Sequence, residues 1–108
     1  MDNLMSDLRQ SVALFKHSLS SFILKKEVFS IVDGLSYQQY CLQEAIFYLV
    51  EMERAAKTLL HLSLNDQKQI MFWAIQMRDE MQRILKNDFH TIYEMFLTDN
   101  ETRVINAY

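Results

Sequence analysis

The chain has no proline and a single glycine, Gly34, in 108 residues. Tight turns and hairpins draw heavily on those two residue types. A β-sandwich or barrel of this length, with its many turns, is therefore excluded. Half of the residues are hydrophobic and 12% aromatic, enough for a core and too much for a disordered chain. The expectation is one all-α domain spanning 1–108.

Helical periodicity organises the chain. Leu4, Leu8, Val12, Phe15, Leu19 and Phe22 recur every third or fourth residue, with Ile23 alongside. They form one apolar stripe opposite Arg9, Lys16 and the serines, which predicts a first helix over about 3–24. Lys25 and Lys26 suit its C-terminus. A second segment starts near Glu27 and carries Val28, Phe29, Ile31, Val32 and Leu35, with Asp33-Gly34 as its weak point. Either one helix runs through Gly34, or it stops there and restarts at Ser36, which has capping-box spacing to Gln39. Beyond Ser36, two stripes run side by side. Cys41, Ala45, Tyr48, Met52, Ala55 and Leu59 form one; Leu42, Ile46, Leu49 and Val50 form the other. A helix apolar over so wide an arc is packed on two sides or offers one side to a partner.

The stretch from His61 to Asp66 breaks the pattern, with Ser63 or Asn65 as the cap of a third helix. Ile70, Ala74, Met77, Met81, Ile84, Asp88, Ile92 and Met95 carry that helix to about Leu97. At 1.5 Å per residue it is a rod of roughly 50 Å. Asp99-Asn100 reads as a turn, and 101–108 as a short helix that needs a docking surface. The expected architecture is an antiparallel helical bundle of three long helices plus a short C-terminal helix.

Nothing in the chain assembles an active site, and no enzymatic activity, metal or cofactor is expected. His17, His61 and His90 lie on separate elements, and none has a second ligand at metal-binding spacing. Cys41 falls on an apolar stripe and reads as a buried thiol. Glu51/Glu53 and Asp79/Glu80 are too close in sequence to face each other as an acid/base pair. One glycine cannot build a phosphate loop.

A net charge of −3, with eleven scattered Lys and Arg, leaves no basic stripe for direct nucleic-acid binding. The longest apolar run, Ala45 to Val50, is far short of the ~20 residues of a membrane span. The N-terminal residues include Asp2 and Asp7 and show no signal-peptide pattern. With a lone cysteine, the expectation is a cytoplasmic chain with no membrane insertion.

The excess of methionine and phenylalanine is more informative. Met5, Met52, Met71, Met77, Met81 and Met95 all fall on helices, where they fill a core or line a surface that adapts to partner helices. Met71-Phe72-Trp73-Ala74-Ile75 cannot face one core, because consecutive helical residues point about 100° apart. Two neighbouring elements cover this turn, or part of it is a groove or strip for a partner's amphipathic helix. Phe72 and Ile75 share one side, and Trp73 and Met77 share another.

Gln10-Ser-Val-Ala-Leu14 with Ser18-Leu19 resembles the opening helix of the FliT-type flagellar export chaperones. Glu27 and Phe29 resemble the start of that family's second helix. Ile75, Asp79-Glu80, Ile84-Leu85 and Ile92 resemble its long third helix, and Val104-Ile-Asn-Ala-Tyr108 its short fourth. The family's Pro/Gly-bearing loop between helices 2 and 3 is replaced by His61 to Asp66.

The resemblance implies a cytoplasmic chaperone of the type III export apparatus. It would bind the C-terminal segment of the flagellar filament-cap protein FliD and keep it unassembled. Further partners implied are the export ATPase complex, the export gate and, in some bacteria, the master flagellar transcription activator. The candidate partner-binding residues are then Phe72, Ile75, Asp79, Arg83 and Tyr108, the last facing the export gate. The terminal helix is expected to cover a strip near Phe72 and Ile75 until a partner displaces it. Two other readings share the same physical signature. One is a small helical regulator, such as an anti-activator or immunity protein, that inhibits its partner. The other is a homodimer built on the spare apolar face of helix 2.

Overall fold

The computed structural model describes residues 4–23, 31–32, 35–58 and 61–106, with side chains for 4–23, 38–58 and 61–98. Helix α1 runs over Leu4–Ile23 and buries Leu8, Phe15 and Leu19, the centre of the stripe read from its sequence. Helix α2 spans Tyr37–Lys57 and buries Cys41, Ala45, Ile46, Leu49, Val50 and Met52. Helix α3 spans Leu64–Leu85 and helix α4 spans Phe89–Asn106. α1 packs chiefly on α2, and α3 packs on α2 from another side. The result is all-α, with three helical segments packed antiparallel and the last one jointed.

Gly34 lies between two-residue strands, β1 (Ile31–Val32) and β2 (Leu35–Ser36), paired antiparallel with Ile31 opposite Ser36 and Val32 opposite Leu35. A helix continuous through Gly34 is therefore not formed. Helix α2 starts directly after Ser36, as in the restart alternative, but Ile31 and Val32, read there as the end of a preceding helix, form a strand instead. Gln38 Nε2 donates to the Phe22 carbonyl at 3.4 Å and ties the first turn of α2 to the end of α1. The proposed segment start at Glu27 and Phe29, the Lys25-Lys26 terminus, Leu59 and Tyr108 lie outside the described residues.

Ser63, not Asn65, caps α3. Its Oγ accepts from the Asp66 N–H at 3.2 Å, and its carbonyl accepts from the Gln67 N–H at 3.0 Å. Gln67 Nε2 reaches back to the Leu62 carbonyl at 2.9 Å, closing the turn from the other side. The bond to the Ser63 hydroxyl satisfies the Asp66 N–H, which would otherwise lack an intrahelical partner.

The chain stays helical from Leu64 through Leu97 as expected, but not as a straight rod. A single 3-10 turn, Lys86–Asp88, joins α3 to α4. Lys86 there adopts φ 52°, ψ −122°, the one positive φ of a non-glycine residue among those described. The joint turns α4 back onto α2, and the longest dimension of the molecule is 44 Å, less than the rod alone would need. The expected turn at Asp99-Asn100 is also absent, since α4 continues through both residues to Asn106. Among the described residues, no separate short terminal helix is formed.

Burial is what bends the joint. Phe89 is buried, and Ile92, Tyr93, Phe96 and Leu97 pack against the core. Each large apolar side chain removed from water is worth roughly 1.5–3 kcal/mol, and several together exceed the ~1–3 kcal/mol that a non-glycine residue costs in so sparsely populated a backbone region. A polar knot fixes the crossing. The Glu53 carboxylate accepts Arg78 Nε at 2.6 Å and a second guanidinium nitrogen at 3.2 Å, and it also accepts the Tyr93 hydroxyl. The Arg78 guanidinium lies over the rings of Phe89 and Tyr93, 5.3 and 4.8 Å from their centroids. One carboxylate thus holds α2, α3 and α4 together.

Burial, and then the hydrogen bond to Glu53, push the Tyr93 phenol up from its ordinary value to about 12, against the opposing pull of Arg78. Between the unfolded value near 10 and the folded one, the unfolded chain loses the proton while the folded chain keeps it. Stability supplied by Tyr93 is therefore complete below pH ~10 and lost as pH rises toward ~12. Spectrophotometric titration should show one phenol ionising near the top of that window, and Tyr93→Phe should remove that component. If the variant kept it, the assignment to Tyr93 would be wrong. Ser63→Ala should cost about 1 kcal/mol in denaturant unfolding, typical of a lost N-cap.

Candidate partner-binding surface

Helix α3 carries two apolar faces. One holds Ile70, Ala74, Met77 and Met81, all buried against α2 and its neighbours. About a third of a turn away stand Leu64 (64% exposed), Met71 (48%), Phe72 (53%) and Ile75 (65%). The crowded run from Met71 to Ile75 is thus divided. Ala74 faces the core, Trp73 is half-buried with the Arg9 guanidinium 5.9 Å from its ring centroid, and the other three face outward. Met71 to Ile75 and Phe72 to Ile75 are four and three residues apart, so these side chains share a surface. With Leu64 they form a strip about three turns long, roughly 16 Å.

Asp79 and Arg83 continue this outer side toward the C-terminus of α3. They pair with each other, both well exposed, and the Asp79 carboxylate raises the pKa of the Arg83 guanidinium. Exposed i,i+4 pairs contribute little to stability. Phe72, Ile75, Asp79 and Arg83 therefore lie on one side of one helix, whereas Tyr108 lies outside the described residues. Phe72 and Ile75 stand more than half exposed; the side chains of 101–108, the expected cover over these two residues, lie outside the described residues.

A second apolar feature escaped the sequence reading in its position, though not in its cause. The second stripe of α2, with Leu42 and Ile46, meets Ile92, Met95 and Phe96 of α4 along a groove of about 250 Å³ flanked by Gln39 and Gln43. The wide apolar arc of α2 signalled that something must cover it. Only the bend at Lys86 reveals that the cover is α4. Leu64 also belongs to the outer strip, although its sequence neighbourhood reads simply as a break.

The methionines divide between both roles. Met52, Met77 and Met81 are buried, and Met71 and Met95 are exposed. Cys41 is buried, whereas His17, His61 and His90 are all exposed. Among the described residues, no three His, Cys, Asp or Glu side chains converge as metal ligands. Glu53, the carboxylate of the polar knot, already accepts from both Arg78 and Tyr93. No described helix is long and apolar enough to cross a membrane. Comparison of the chain with protein-family models, curated proteins and solved structures finds no match.

An apolar strip that the fold does not use should be removable without loss of stability. Phe72→Ser and Ile75→Ser are each expected to shift unfolding free energy by no more than about 0.5 kcal/mol. Ala74→Ser, one position away on the buried face, serves as the destabilised control in the same denaturant series.

Proposed function

We propose that this chain is a non-catalytic helical binding module whose α3 strip receives an amphipathic helix from a partner protein. The observation that carries the reading is the strip itself. Leu64, Met71, Phe72 and Ile75 are exposed, share one side of α3 and lie outside the core cluster, and they have the i, i+3, i+4 spacing that helix-in-groove recognition uses. Met71 and Phe72 supply adaptable and aromatic contact area, and the Asp79–Arg83 pair supplies a charged end that can set the register of the incoming helix.

The partner we propose follows from the resemblance to FliT-type export chaperones. It is the C-terminal helical segment of a flagellar filament-cap protein, held unassembled in the cytoplasm and passed to the type III export apparatus. Contacts with the export ATPase complex, the export gate and a flagellar transcription activator belong to the same proposal.

A titration of the full chain against the C-terminal segment of the cap protein from the same genome tests it. A 1:1 complex of micromolar affinity or tighter is expected. Phe72→Ala or Ile75→Ala should weaken it roughly tenfold, the effect of losing a contact worth somewhat over 1 kcal/mol. Absence of binding would sink the chaperone reading. Binding untouched by either variant would move the contact off α3.

A further inference from the structure

We propose that α4 is an exchangeable arm, and that two copies of this chain form a dimer by straightening at Lys86–Asp88 and laying each α4 on the other copy's α2. Three independent features lead there. The hinge is only three residues long, and its first residue, Lys86, holds φ 52°, ψ −122°, which a Cβ opposes and which straightening into α-helix would relieve. The sequence through the hinge keeps helical spacing, with Ile84, Asp88, Ile92 and Met95 in register and no glycine or proline to enforce a stop. The contacts that hold α4 all lie within one chain: Glu53 accepts the Tyr93 hydroxyl, Arg78 lies over the Tyr93 ring, and Ile92 and Phe96 pack against the core to which α2 contributes.

A straight α3–α4 helix separates Arg78 from Tyr93 by about 22 Å along its axis, so Tyr93 could no longer reach the knot of its own chain. It can reach the same knot on a second copy, reciprocally, through a two-fold arrangement. Each intramolecular contact of α4 is then replaced by an identical intermolecular one, and the two hinges relax. What opposes the exchange is the entropy of association, so concentration decides the balance. Short strained hinges favour such exchange. The α3 strip stays on the outside in either form, so this inference stands apart from the chaperone reading.

The test is the association state of the full chain refolded at high concentration, measured by sedimentation for the wild type, Lys86→Gly and Asn87→Ala. Glycine at 86 accepts the bent conformation and weakens a straight helix, while alanine at 87 favours the straight helix. Because two hinges act per dimer, Lys86→Gly should lower the dimerisation constant by about tenfold or more, and Asn87→Ala should raise it. In dimers refolded from mixed isotope-labelled and unlabelled wild-type copies, isotope-filtered NOEs should connect Tyr93 to Glu53 of α2 and to Arg78 between copies. Three outcomes would overturn the proposal: wild type and Asn87→Ala both monomeric, a dimerisation constant unchanged in Lys86→Gly, or α2–α4 NOEs confined within one copy.

Discussion

Helix α2 is apolar over more of its circumference than a single neighbour can cover, and the rest of the molecule is arranged to meet that demand. Cys41, Ala45, Ile46, Leu49, Val50 and Met52 are all buried, and they point in directions spread around the helix. α1 and α3 take two sides. The side bearing Leu42 and Ile46 falls to α4, which can reach it only by folding back. The bend at Lys86 is the local cost of that coverage. The Glu53–Arg78–Tyr93 knot turns a general hydrophobic preference into a defined crossing, because a carboxylate accepting from both a guanidinium and a phenol tolerates little displacement.

The joint also shows two levels of organisation in competition. Locally, the chain from Leu64 onward favours an unbroken helix, and its apolar spacing passes through Asp88 without a change of phase. Burying Phe89 and packing Ile92 and Phe96 against the core outweighs that preference. The interactions holding α4 are the same whichever copy supplies α2.

The outer face of α3 poses the opposite situation. Here the fold leaves four large apolar side chains in water although the interior has no place for them. Their exposure weakens solubility and adds nothing to the core, so the proposed use lies in a second molecule. The adjacent Asp79–Arg83 pair is too exposed to contribute much to folding, which leaves it free to act at the edge of a contact.

Much of this was legible in the residues. The near absence of glycine and proline excluded β architectures, three-to-four-residue spacing located α1, most of α2 and the start of α3, and the crowding of Met71 to Ile75 marked an outer surface. Two local signals were also present and pointed elsewhere. Asp33-Gly34 flanked by Ile31, Val32 and Leu35 is hairpin chemistry as much as a weak helix, and Asp88 is an odd occupant of an apolar stripe. The sequence alone determined the helical class and the faces that had to be buried, because periodicity is a property of the chain itself. Only the tertiary structure decided which face of α2 would be closed by which segment, and hence where the third helix had to bend. That choice depends on the area buried between residues as distant in sequence as Glu53 and Tyr93, and no local pattern records it.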